Sequence, residues 1–128
     1  VGPLNILEEG GTLIIASECS EGMGSPEFVS AQQLLSRQGM EKFMATLYSR
    51  EKALIDEWQT EMLLKPLRHG SVKLYTTNLS ESEREQTCVE HIDSIEDAIL
   101  ASVKEQGSNE IAIIPEGPYV IPLLKKAG

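Results

Sequence analysis

At 128 residues, 41% hydrophobic and 24% charged, the chain suits one compact domain over residues 1–128, able to bury about two thirds of its unfolded surface without disulfide staples. A formal net charge of −9 with only 11 scattered Lys and Arg argues against a nucleic-acid or anionic-membrane surface, which needs clustered cations. Cys19 and Cys88 are too few and too far apart for a disulfide framework or metal-ligand spacing, and no window approaches the roughly 18 apolar residues of a membrane span. A soluble protein of the reducing cytoplasm is therefore expected.

The chain opens on VGPLNILEEGG without an initiator Met, which reads as the tail of a preceding segment and predicts an excised domain. Leu4, Ile6 and Leu7 suit the end of a helix stopped at Gly10 and Gly11. Thr12 to Ser17 is a β-branched apolar run suited to a strand buried on both faces of a parallel sheet. Gly22 and Gly24 then permit a tight turn, Ser25 is a good N-cap, Pro26 a first helical residue, and Glu27 complements the helix dipole. A strand, glycine loop and helix start in one stretch can hold an anion or polar ligand, although the spacing fits neither the dinucleotide fingerprint nor the P-loop. The helix from Pro26 to about Gln38 carries Phe28, Val29, Ala31, Leu34 and Leu35 on one face, and Gly39 breaks it. Met40, Phe43, Met44 and Leu47 form the core-facing stripe of a helix to about Ser49, and Leu54, Ile55, Trp58, Met62 and Leu63 that of a helix over Glu51 to Lys65, ended by Pro66.

Gly70 introduces a second strand over Val72 to Thr76, and Ser80 with Glu83 forms a capping-box pattern for a short helix. Val89 to Ile92 suits a short edge strand. Ser94 caps a helix with Ile95, Ala98, Ile99 and Val103 inward and Gly107 at its end, and Glu110 to Ile114 is the last expected strand. This alternation predicts a three-layer, Rossmann-like α/β fold. Its mainly parallel sheet of four strands has the order 3-2-1-4, with helices on both faces. Ligands bind beyond the carboxyl ends of such strands where the order reverses, so the loops Glu18–Ser25 and Pro115–Tyr119 are expected to face each other across one crevice. A receiver-like reading of this fold lacks the acidic pair and phosphoacceptor Asp at its first strand ends.

Three stretches together resemble a known family: EGGTLIIASECSEGMGSPEF at Glu9–Phe28, DEWQ at Asp56–Gln59, and IPEGPYVIP at Ile114–Pro122. They are similar to the C-terminal domain of lactate racemase-like proteins. The resemblance implies a two-domain, nickel-dependent enzyme that interconverts stereoisomers of a 2-hydroxy acid by hydride transfer to a nickel pincer nucleotide. The cofactor-attaching lysine and the histidines would belong to an N-terminal domain, the expected partner, absent from this sequence. A family tyrosine–glutamine pair and lysine ahead of the glycine pair have no counterpart before Gly10. The isolated chain is thus expected to bind no cofactor or metal and to catalyse nothing, while Glu18, Cys19, Ser20, Gly22, Gly24, Ser25, Trp58, Gln59, Glu116, Gly117 and Tyr119 would line the interdomain cleft.

Plainer roles stand beside these. Cys19 has no histidine pairing motif and reads as an inert small residue, and Glu18 and Glu21 as solvated loop carboxylates. Trp58 suits a core position as well as a cleft contact. His69 and His91 lack ligand spacing, and Glu81, Glu83 and Glu85 form a solvated helix face. A stand-alone small-ligand or protein-binding module using the same glycine loop is the alternative function.

Overall fold

The computed structural model describes residues 2–125. A 3₁₀ turn over Gly2–Asn5, in place of a helix end, leads to β1 (Thr12–Ala16), α1 (Pro26–Gln38) and α2 (Met40–Tyr48). Then come α3 (Glu57–His69), β2 (Ser71–Tyr75), α4 (Glu81–Gln86), β3 (Glu90–His91) and α5 (Ile95–Gln106), and a second 3₁₀ turn at Gly117–Tyr119. The strands form a parallel three-stranded sheet in the order β1-β2-β3. Thr12 pairs with Ser71 through to Ala16 with Tyr75, and β3 joins through Lys73 with Glu90 and Leu74 with His91. α5 packs on β1 and α3 on β2.

The expected fourth strand is not formed, and β2 rather than β1 is central among the described residues. An apolar pentapeptide becomes a strand only when an edge takes up its backbone groups. Here Glu110 N–H donates to Ser108 Oγ (3.2 Å), and Ile111 and Ile113 are exposed. β1, composed like an interior strand, consequently has one free edge and leaves Ile15 and Ala16 exposed.

Local chemistry explains most element ends. Ser25 Oγ accepts from Phe28 N–H (3.1 Å), Ser94 Oγ from Asp97 N–H (3.1 Å), and Gly107 closes α5 in the left-handed region. Ser80 and Glu83 complete a capping box, and the two hydrogen bonds from Ser80 hold the Glu83 carboxyl below its ordinary value. α3 departs most from the sequence reading: it begins at Glu57, because Asp56 takes a left-handed conformation (φ 64°), and residues 51–56 form a loop. It also runs through Pro66 to His69, and Gly70 N–H still donates to the Pro66 carbonyl (2.9 Å). A proline so near the C-terminus removes one donor without ending the last turn.

The core lies in the seam of α1, α2 and α3, where buried Leu35, Phe43, Met44 and Leu64 are surrounded by Leu34, Met40, Leu47, Leu67 and Cys88. The helices meet the sheet at its amino end. Ser71 N–H donates to the Gly11 carbonyl (2.9 Å), Gly10 N–H to the His69 carbonyl (2.8 Å), His69 Nε2 to the Leu7 carbonyl (2.7 Å), and Gln106 Nε2 to the Gly10 carbonyl (2.9 Å). A β-carbon on Gly70 would stand 2.1 Å from the Gly11 carbonyl oxygen, so any side chain there must push β1 and β2 apart. Gly70→Ala is expected to cost roughly 3 kcal/mol, measured by urea denaturation.

Candidate functional site

The carboxyl ends of β1 and β2 open on a shallow recess of about 290 Å³ lined by Ala16, Ser17, Glu18, Tyr75 and Thr77. Beyond it the chain makes the glycine loop: Cys19, Gly22 and Gly24 have positive φ (48°, 66° and 98°), and Gly22 N–H donates to the Cys19 carbonyl (3.0 Å). The loop is fastened on two sides. On one, the Glu18 carbonyl accepts from Thr76 Oγ1 (3.2 Å) and Asn78 Nδ2 (2.7 Å), while the Arg84 guanidinium donates to the carbonyls of Thr76 (3.0 Å) and Leu79 (3.2 Å). The loop also runs against α4, where a β-carbon on Gly22 would meet Glu83 Oε1 at 3.0 Å.

On the other side the Ser25 hydroxyl donates to Asp56 Oδ2 (2.6 Å), and Asp56 Oδ1 accepts from Gln59 Nε2 (3.0 Å). This bond joins the glycine loop to the DEWQ motif, 31 residues further along the chain. Trp58 and Gln59 stand exposed on the first turn of α3, so Trp58 is not a core residue. Beside them Glu57 is buried and takes up the Arg50 guanidinium and the Leu54 N–H (2.8 Å).

The third motif does not join this assembly. No residue of 115–119 lines the recess, Gly117 and Tyr119 sit in the exposed 3₁₀ turn with Glu116 exposed at its head, and Val120 and Pro122 lie against Gly2. The facing of the two loops across one crevice is therefore not found, because the fourth strand that would carry residues 115–119 there is not formed.

Ser20 and Gly24 are exposed on the loop, and Cys19 Sγ reaches only Ser17 Oγ (3.5 Å). Burial pushes the Cys88 thiol up, which keeps it protonated and inert. Among the described residues no three His, Cys, Asp or Glu side chains come together to hold a metal ion. The sequence reading missed the clamp of Thr76, Asn78 and Arg84 and the latch of Asp56. The polar run Thr76-Thr77-Asn78 directly after a parallel strand was the available signal, since such strand ends are where loops meet.

The model of the lactate racemase C-terminal domain family matches residues 5–122. The chain belongs to that family. This lactate racemase C-terminal domain also superposes on the structure of the lactate racemase apoprotein from Thermoanaerobacterium thermosaccharolyticum, with a TM-score of 0.67 and 20% identity. The superposition covers 80% of this chain and 25% of that one, so the domain spans about a quarter of that protein's length. No curated protein sequence matches the chain.

Two outcomes test this geometry. Asp56→Ala removes the Ser25 latch and places alanine in a left-handed conformation. It should cost about 2 kcal/mol and speed amide exchange at Phe28, whereas Asp56→Asn, which keeps an acceptor and tolerates that backbone, should cost less than half as much. His91 offers a pH test. Burial, and then the Arg84 charge, hold its imidazole below the ordinary 6.5, and its Nε2 pairs with Thr87 Oγ1 (2.8 Å). The unfolded chain thus binds the proton more readily. Stability contributed by neutral His91 is full above 6.5 and lost as pH falls through the lower folded value. Urea denaturation over a pH series should show this decline, and His91→Gln should flatten it.

Proposed function

We propose that the chain is the C-terminal domain of a larger lactate racemase-like enzyme that interconverts the stereoisomers of a 2-hydroxy acid, and that it forms one wall of an active site built mainly by an N-terminal region. The family match over residues 5–122 carries this reading. The latch between Ser25 and Asp56 supports it, because it gathers two of the family-like motifs at the carboxyl end of the sheet. In the whole enzyme a nickel pincer nucleotide would supply the hydride-accepting centre. The side chains described here form no ligand set for nickel, so the reading assigns metal and cofactor attachment to the N-terminal region.

This chain's own contribution is positioning and exclusion of water. The clamp on the Glu18 carbonyl and the Ser25 latch hold the glycine loop in one conformation, so its backbone and the neighbouring Trp58 and Gln59 can meet a substrate without further ordering. Glu116, Gly117 and Tyr119 would reach the cleft if Glu110–Ile114 added to the free edge of β1. That addition would complete the order 3-2-1-4, and the unpaired edge and the apolar composition of the segment support it. Two free thiols and a net charge of −9 support a cytoplasmic setting without nucleic-acid or membrane partners, and no described helix is long and apolar enough to cross a membrane.

The decisive experiment is intact-mass and nickel analysis of the longer protein containing this chain, made in a host that synthesises the pincer nucleotide. A mass increment with stoichiometric nickel, and interconversion of a 2-hydroxy acid, are expected. A metal-free, unmodified protein without such activity would overturn the reading and favour a stand-alone binding module.

A further inference from the structure

His91 sits on β3, at the opposite side of the sheet from β1, yet a short relay of hydrogen bonds connects its ring to the glycine loop. The relay fixes the tautomer. Thr87 has one hydroxyl proton and gives it to the Arg84 carbonyl (2.8 Å), so the 2.8 Å contact between Thr87 Oγ1 and His91 Nε2 requires the nitrogen to donate. The ring is therefore neutral, with its proton on Nε2. Nδ1 is left as a bare acceptor, buried and without a hydrogen-bond partner among the described residues.

The residue whose carbonyl anchors Thr87 also braces the loop. Arg84 Nε donates to the Leu79 carbonyl and Nη2 to the Thr76 carbonyl, while Nη1 stands 3.6 Å from Asp93. Thr76 Oγ1 and Asn78 Nδ2 in turn hold the Glu18 carbonyl, where the loop begins. A second proton on His91 would put an N–H where no acceptor waits and a positive charge beside the Arg84 guanidinium. The carboxylate that favours the charged ring is exposed Asp93, and drawing it to an imidazolium takes it from Arg84. The other neighbours are neutral or already paired. Lys73 of β2 and Glu90 of β3 bond to each other (2.9 Å) on the opposite face of the sheet, α1 meets α4 through Gln33 and Gln86, and the Cys88 thiol stays protonated.

We propose that His91 is a proton-operated catch on the glycine loop: on taking up a proton it displaces Arg84 from Thr76 and Leu79 and lets residues 19–24 move. An opened form, with the ring solvated, binds that proton more readily than the clamped form, so acid favours opening. The loop is thus clamped above the ordinary imidazole value of 6.5 and released as pH falls through the lower value of the folded chain. The catch lies wholly within the 128-residue chain and does not depend on the racemase reading.

NMR on the 128-residue chain from about pH 8 to about pH 5 tests the proposal. The His91 ring resonances and the amide shifts of Cys19 to Gly22 should titrate with one midpoint below 6.5. Across it, order parameters at Gly22 and Gly24 should fall from about 0.85 to below about 0.6. H91Q, which keeps a donor for Thr87 and takes up no proton, should leave the loop ordered throughout. R84K, which keeps the charge and loses the forked donation, should leave the loop mobile at every pH while His91 still titrates. Loop order unchanged through the His91 midpoint overturns the proposal, as does an R84K loop that stays ordered. A loop transition that survives in H91Q belongs to a carboxylate beside the loop, Glu21 or Glu83, and overturns it too. So does a His91 midpoint at or above 6.5, since the clamped form would then hold the proton.

Discussion

The Ser25 hydroxyl does two things at once: its oxygen caps α1 through Phe28 N–H and its proton goes to Asp56. Because one atom serves both bonds, the start of α1, the exit of the glycine loop and the start of α3 share a single geometry. The glycine loop's exit and the heads of both helices depend on this junction. Asp56 occupies a left-handed conformation that most residues resist, and the hydrogen bonds of its two oxygens offset the strain.

Around that junction the fold divides its labour. The seam of α1, α2 and α3 supplies the hydrophobic stability, with Phe43 and Leu64 at its centre. The sheet supplies placement, its register set at one end by the close approach of Gly70 to Gly11 and extended at the other by Ser17 N–H donating to the Tyr75 carbonyl. Loops beyond the strands are then fastened by side chains from neighbouring elements, Thr76 and Asn78 on one flank and Asp56 on the other. The site is therefore rigid where it leaves the sheet and open toward solvent at the recess.

Among the described residues, large apolar side chains stand exposed at the α2–α3 corner and along the segment from Ile111 onward. The first is exposed although Glu57 brackets its backbone, and the second because no strand edge takes it up.

Much of this was legible from residues alone. Local chemistry determined the start of α1 at Ser25-Pro26, the capping box of α4, the cap of α5 at Ser94, the break at Gly39 and the core stripe of α2, because each depends on groups within a few residues. The family was legible too, through three motifs read together. Tertiary structure alone decided the rest. Leu54 and Ile55 kept a helical apolar spacing yet face outward, because α3 starts only after Asp56, held in a left-handed conformation by Ser25 from 31 residues away, and Trp58 falls on the solvent side of its first turn. Glu110–Ile114 has the composition of a strand but no ladder, because composition records a preference for an extended, half-buried backbone while a strand requires an available edge. The Thr76–Asn78 clamp was invisible for the same reason: a hydrogen bond between residues some 60 positions apart is a property of two strands lying side by side, not of either stretch of sequence.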